Sequence, residues 1–205
     1  MHERRFRPSQ MHRLEDPNRK NWLPPGDILA CLGLQPGFAV ADIGAGTGYF
    51  TLPIAAAIGN AGRVFAVDVA PEMLARLREK TAEIGFTNVE CVEAEASATT
   101  LAAASCDCVL LANVWHEFDD HAAVLAEARR ILRPGGQIAL LDWRPDADGA
   151  PGELARRGGE PVHGPPLEHR ISADSARQSL LQAGFASSAP PRLFSFSWLV
   201  IGTRS

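Results

Sequence analysis

The run Asp42-Ile43-Gly44-Ala45-Gly46-Thr47-Gly48 follows the apolar stretch 38–41 and precedes the helix-compatible stretch 49–56. Strand, glycine turn and helix N-terminus in that order restrict the chain to an α/β layout whose backbone cradles a ligand. The glycines permit positive φ and leave room where a ligand comes close. Asp42 narrows the ligand's chemistry, because a carboxylate opening the turn suits a cation and repels a pyrophosphate. Tyr49 stands where a dinucleotide fingerprint has its third glycine. No Gly-Lys-Ser/Thr follows, which excludes a nucleoside-triphosphate loop.

A second acidic residue, Asp68, ends Arg63-Val64-Phe65-Ala66-Val67 about twenty residues after the glycines. That spacing puts a carboxylate at the carboxyl end of the neighbouring strand, within reach of a ribose diol. Beyond it, strand-like and helix-like stretches alternate, the pattern of a parallel sheet covered on both faces. Strands are predicted at 39–43, 64–68, 89–93, 108–112, 138–142 and 193–203, with a shorter one within 186–190. Helices are predicted at 49–58, 71–84, 121–132 and 173–183, with another running from an Asp27 N-cap to Leu32. The alanine-rich stretch 98–104 reads as a short helix. Residues 1–26 read as an N-terminal arm and 27–205 as one domain. The glycine- and proline-rich stretch 145–167 leaves the ligand end of the sheet and is expected to act as a lid.

Three further motifs follow in order: Val67-Asp68-Val69-Ala70-Pro71-Glu72-Met73-Leu74, Asp107-Cys108-Val109-Leu110-Leu111-Ala112-Asn113 and Ala128-Arg129-Arg130-Ile131-Leu132-Arg133-Pro134-Gly135-Gly136-Gln137. With the glycine turn, they make the chain from Trp22 onward resemble the class I S-adenosylmethionine-dependent methyltransferases. Within that superfamily it is most similar to small bacterial enzymes of the ubiquinone/menaquinone methyltransferase-like group. The resemblance implies a Rossmann-like, doubly wound, mostly parallel seven-stranded sheet with an antiparallel C-terminal strand. It also implies S-adenosyl-L-methionine as cofactor, with Gly44, Ala45, Gly46 and Gly48 passing beneath its methionine and ribose. Asp42 would lie near the ammonium through water, and Asp68 would take both ribose hydroxyls. Val69 and Met73 would flank the adenine, Glu95 beside Ala96 would face its amino group, and Asn113 would hold the methionine amine or carboxylate region. Plainer readings stand beside these: a cap for Asp42 or Asp68, a surface glutamate for Glu95, helix packing for Met73.

Methyl transfer from a sulfonium is an in-line displacement, and a base is needed only where the acceptor must lose a proton. His116, in Asn113-Val114-Trp115-His116-Glu117-Phe118, is the leading base candidate, with Glu117 or Asp120 to orient it. Asp142 is the second catalytic candidate. Trp115 and Trp143 are expected to wall the acceptor pocket, or to pack, and His163 and His169 to enter it as the lid closes. The Asn/Asp-Pro-Pro-aromatic motif of amino-methylating nucleic-acid enzymes is missing. Cys106 and Cys108 lie at the wrong end of their strand for a pyrimidine-attacking nucleophile. Asp119 and Asp120 read as helix capping rather than metal ligands, so no metal is expected.

The acceptor class indicated is a small molecule. Two alternatives are a macromolecule, protein or RNA, and a non-catalytic cofactor-binding protein. With 205 residues, 46% of them hydrophobic, and a formal net charge of −4, the chain offers no broad phosphate-binding face. The basic arm residues Arg4, Arg5, Arg7, Arg13, Arg19 and Lys20 are interrupted by Glu3, Glu15 and Asp16 and read as solvated. Nucleic acid is therefore not an expected partner. Cys31, Cys91, Cys106 and Cys108 fit neither a disulfide ladder nor a zinc spacing. No leader and no membrane-length apolar run is visible, so a cytoplasmic protein is expected.

Overall fold

The computed structural model describes Phe6 and residues 8–146, 164–187 and 189–205. The strands are β1 Ala39–Ile43, β2 Arg63–Asp68, β3 Val89–Glu93, β4 Cys106–Ala112, β5 Leu132–Trp143, β6 Phe185–Ala186, β7 Arg192–Leu193 and β8 Ser197–Arg204. All belong to one sheet in the order β3-β2-β1-β4-β5-β8-β6, with β7 pairing β8. Pairs among β1 to β5 are parallel, and β8 runs antiparallel to β5, β6 and β7. The doubly wound fold is as expected, but among the described residues the sheet has eight strands rather than seven. The addition is β7, which pairs with β8 through Arg192 and Leu193.

From β1 the chain builds outward through β2 and β3, then returns to lay β4 on β1's other side. The order reverses between β1 and β4, so a crevice opens at their carboxyl ends. Asp42, Asp68 and the stretch from Asn113 all fall at that rim.

The helices are α1 Arg19–Trp22, α2 Pro25–Leu32, α3 Thr51–Ile58, α4 Pro71–Ile84, α5 His121–Ile131 and α6 Ala173–Gln182. Asp120 caps α5 by accepting from Ala123 N at 2.9 Å, and Ser172 caps α6. Asp27 does not cap α2. The helix starts earlier, after an extended Pro24 and with Pro25 at its first position, where a missing N–H costs nothing. The stretch 98–104 is not helical. Thr100 and Ala104 take positive φ, and Thr99 N and Oγ1 both donate to Glu127 Oε1, which holds the chain open against its alanine propensity.

Apolar side chains fill both faces of the sheet. One core gathers Leu111, Trp115, Leu125, Ile131 and Trp198; the other gathers Trp22, Leu23, Ile54, Leu110 and Trp143. Trp115 is fully buried and stacks on His121 with ring centroids 4.1 Å apart. It packs the core and does not wall the pocket. Trp143 packs on Trp22 at 5.2 Å. The α1 segment thereby contributes to the core rather than hanging from it. Most of the stretch expected to be a lid, 147–163 with His163, lies outside the described residues.

Candidate cofactor site and the cavity above it

The loop after β1 is sewn to β2 by Gly44 N and Ala45 N, which both donate to Val67 O. Gly44, Gly46 and Gly48 take φ of +74°, +53° and +87°, conformations that glycine adopts without strain. A methyl group on Gly44 would overlap Val114, so glycine there lets the loop and the stretch after β4 touch. A methyl on Gly48 would overlap Leu77 of α4, so that glycine serves helix packing. Asp68 braces the same loop: its Oδ2 accepts from Gly46 N at 2.8 Å and its Oδ1 from Ala70 N at 2.9 Å.

Asp42 is buried beneath the turn, where Thr51 Oγ1 donates to its Oδ2 at 2.5 Å. Burial pushes this carboxyl up to about 6; the Thr51 bonds oppose the rise and the Asp68 charge adds to it. The site therefore holds an acid whose ionised form gains from a nearby cation.

A cavity of about 1390 Å³ opens over the turn. Of the residues singled out from sequence, Asp42, Gly44, Ala45, Gly46, Asp68, Val69, Met73, Glu95, Ala96 and Asn113 line it. Gly48, His116 and Asp142 do not. Asn113 has φ +58° and a buried Oδ1 with no hydrogen-bond partner among the described residues. An acceptor atom left alone in that way is costly unless a ligand supplies the donor.

His116 sits behind the cavity wall. Its Nδ1 lies 2.9 and 3.0 Å from the two carboxylate oxygens of Asp142, and its backbone N–H donates to the same group. Burial alone would lower the imidazole pKa, but the Asp142 hydrogen bond and charge outweigh it and raise the value. Both side chains are almost wholly enclosed. His116, the leading base candidate from the sequence, and Asp142, the second catalytic candidate, therefore do not line this cavity; among the described residues Asp142 accepts from His116 and from the Trp143 N–H. The side chain that does face the cavity is Glu117, on the 3-10 turn Trp115–Glu117.

Arg19 escaped the sequence reading, which took it for part of a solvated arm. It is buried, lies 4.0 Å over the Tyr49 ring, donates to Leu14 O and lines the cavity. Burial lowers its pKa to about 10, so it stays a cation at neutral pH. Its spacing of three from Trp22 was the available signal: the two share a helix face, and Trp22 is core.

Residues 41–140 match the methyltransferase-domain family. A solved S-adenosylmethionine-dependent methyltransferase from Aquifex aeolicus superposes with a TM-score of 0.86 at 27% identity, over 98% of this chain and 100% of that one. The chain's central region carries a methyltransferase domain, and the whole chain has the fold of a class I S-adenosylmethionine-dependent methyltransferase. Its cofactor is S-adenosylmethionine. The ubiquinone/menaquinone biosynthesis C-methyltransferase UbiE of Klebsiella pneumoniae is 34% identical over 114 residues, 55% of this methyltransferase and 45% of that enzyme. The matched part thus spans less than half the length of that curated relative. A second solved methyltransferase, from Mesorhizobium loti, shares the fold with a TM-score of 0.67 at 19% identity over 93% of this chain and 100% of that one. Among the described residues no helix is long and apolar enough to cross a membrane, and no group of three or more His, Cys, Asp or Glu is placed to hold a metal. The four cysteines are free thiols.

Proposed function

We propose that this methyltransferase transfers the methyl group of S-adenosylmethionine to a small, electron-rich aromatic acceptor of the hydroquinone type. The observation that carries the reading is the cavity. At about 1390 Å³ it exceeds the roughly 300–1,000 Å³ of a single-ligand pocket, which leaves room for a cofactor and an acceptor together. Its walls combine Phe6, Leu14, Phe50 and Phe118 with the acids Asp42, Asp68, Glu95, Glu117 and Asp119. Apolar walls suit a flat ring, and the acids disfavour a polyphosphate chain. The name of the Klebsiella relative points to the same acceptor class.

The residues present fit the cofactor. The backbone from Gly44 to Gly46 offers the cradle, and the unpartnered Asn113 Oδ1 suits a bound ammonium. Arg19 would pair with a carboxylate, Asp68 would take the ribose diol, and Val69, Met73 and Ala96 would enclose the adenine. When bound, the cofactor supplies a methyl group made electrophilic by a sulfonium. The chain's own work is to hold the acceptor in line, to exclude water behind the arm residues Phe6 and Leu14, and to keep acids near the positive charge.

Incubation with methyl-labelled S-adenosylmethionine tests this reading, using 1,4-naphthohydroquinone kept reduced as the probe acceptor. Mass and NMR analysis of the product should find one added methyl on the naphthalene nucleus. Label appearing in added total RNA or protein, with none on any hydroquinone, would overturn it.

A further inference from the structure

Three neighbouring side chains connect the core to the cavity. Asp142, 1% exposed, is clamped by the backbone N–H groups of His116 and Trp143 at 2.8 and 2.7 Å. Its carboxylate can only accept, so the facing Nδ1 of His116 carries a proton and the other ring nitrogen is turned outward. That nitrogen, Nε2, lies 4.0 Å from Glu117 Oε1. Glu117 Oε2 in turn accepts from Phe6 N at 3.3 Å, and the side chain lines the cavity with Asn113, Val114 and Phe118. Neither Asp142 nor His116 lines the cavity. Glu117 does.

We propose that Glu117 takes the proton released by the methyl acceptor, and that His116, clamped by Asp142, is the residue that positions and tunes it. The inference rests on the acceptor reading above. In the step, the acceptor's O–H bond breaks, its proton passes to a Glu117 oxygen and the electron pair stays on the acceptor. The resulting phenolate is richer in electrons at both oxygen and ring carbon, and Glu117 is left as the neutral acid.

The electrostatics agree with this geometry. Burial lifts the Glu117 carboxyl to about 7; the His116 charge and the Phe6 N–H oppose that rise, while Asp142 and Asp68 add to it. A base poised near neutrality both accepts and releases a proton readily. Asp119, Glu95, His169 and Arg19 also line the cavity, and Arg170 opposes the His116 charge. Glu117 and His116 therefore titrate as a coupled pair rather than independently.

NMR titration of isotope-labelled protein saturated with S-adenosylhomocysteine tests the pair without any acceptor. A carboxyl signal that disappears in Glu117→Gln should have its midpoint near 7, and the His116 Nε2 shift should respond to the same step. Asp142→Asn should move the His116 midpoint downward. A Glu117 signal titrating in the ordinary glutamate range, with His116 indifferent to it, overturns the proposal. With 1,4-naphthohydroquinone as acceptor, Glu117→Gln should lower kcat by about 10²–10⁴-fold and leave S-adenosylhomocysteine affinity within about twofold. His116→Asn should lower kcat less and displace the acid limb of its pH profile. Undiminished transfer in Glu117→Gln also overturns it. If the unaltered protein fails to methylate this probe, the acceptor reading falls and the titration alone decides the role of Glu117.

Discussion

Thr51 at the start of α3 donates its hydroxyl proton to Asp42 at the end of β1, nine positions back across the glycine turn. The bond ties the two ends of the cofactor loop through a buried carboxylate rather than through backbone alone. The bond offsets part of the cost of burying that carboxylate, and the remainder makes it an acid that weakens the fold once ionised.

The first prediction follows from that acid. Its pKa rises from 3.8 to about 6 on folding, so the native state holds the proton more tightly than the unfolded chain. Below the unfolded value both states are protonated and nothing is lost. Between the two values the folded state loses ground, and above pH 6 the full cost applies, on the order of 3 kcal/mol. Asp42→Asn keeps an oxygen for Thr51 and removes the charge. The variant should gain stability over the parent at pH 8 and little at pH 4, while binding S-adenosylmethionine more weakly. Urea denaturation at both pH values checks this; an equal stability change at each would remove Asp42 as the cause.

Asp68→Ala should weaken S-adenosylmethionine and S-adenosylhomocysteine alike, by roughly 10- to 100-fold, because charge-assisted hydrogen bonds contribute about 1.5–3 kcal/mol. The two ligands share the ribose and differ at sulfur, so equal losses in calorimetry place the carboxylate on the diol. A loss confined to the sulfonium ligand would assign Asp68 to charge instead.

Gly44→Ala should be more costly than Gly135→Ala. Both glycines have positive φ, but only at Gly44 does the added methyl meet another side chain. Backbone strain of about 1–2 kcal/mol applies to each, and overpacking against Val114 adds about 1–3 kcal/mol. Adding Val114→Ala should recover the second part and leave the first. A double-mutant cycle with no coupling energy would show that the loop and the stretch after β4 move apart freely.

The Glu127 carboxylate accepts from Arg130 Nε, Arg130 NH2, Thr99 N and Thr99 Oγ1. Arg130 and then, against the effect of burial, Thr99 hold its pKa at about 2. The stability it brings is present above the unfolded value of 4.5 and disappears as pH falls toward 2. Glu127→Gln should lower stability at pH 7 by about 1.5–3 kcal/mol and flatten the acid limb of a stability profile. An unchanged acid limb would dissociate Glu127 from it.

Much of the cavity floor was legible in the sequence because backbone geometry writes itself there: glycines where φ must be positive, carboxylates where strands end. The wall that follows β4 was less so. His116 and Glu117 are neighbours on one tight turn, and their side chains leave it about a third of a revolution apart. Which one meets the cavity depends on how far the turn rotates. That rotation is set by Trp115, drawn into the core against His121 and Phe118. No pattern in Asn113–Phe118 encodes it. The stretch 98–104 failed for a similar reason: alanine propensity lost to Glu127, a partner some thirty positions away in sequence.

The N-terminal arm is held over the cavity by different means from those that shape its floor. The floor is backbone bonded to backbone, with Leu77 seated against Gly48 and Lys80 donating to Thr47 O. The arm's outer fastening is Glu15, 3.1 Å from Arg76 and 3.5 Å from Lys80, on a water-facing surface where such pairs are weak and screened by salt. Salt should therefore loosen the Glu15 contacts on the outside of the arm while hardly touching the backbone-bonded floor beneath it.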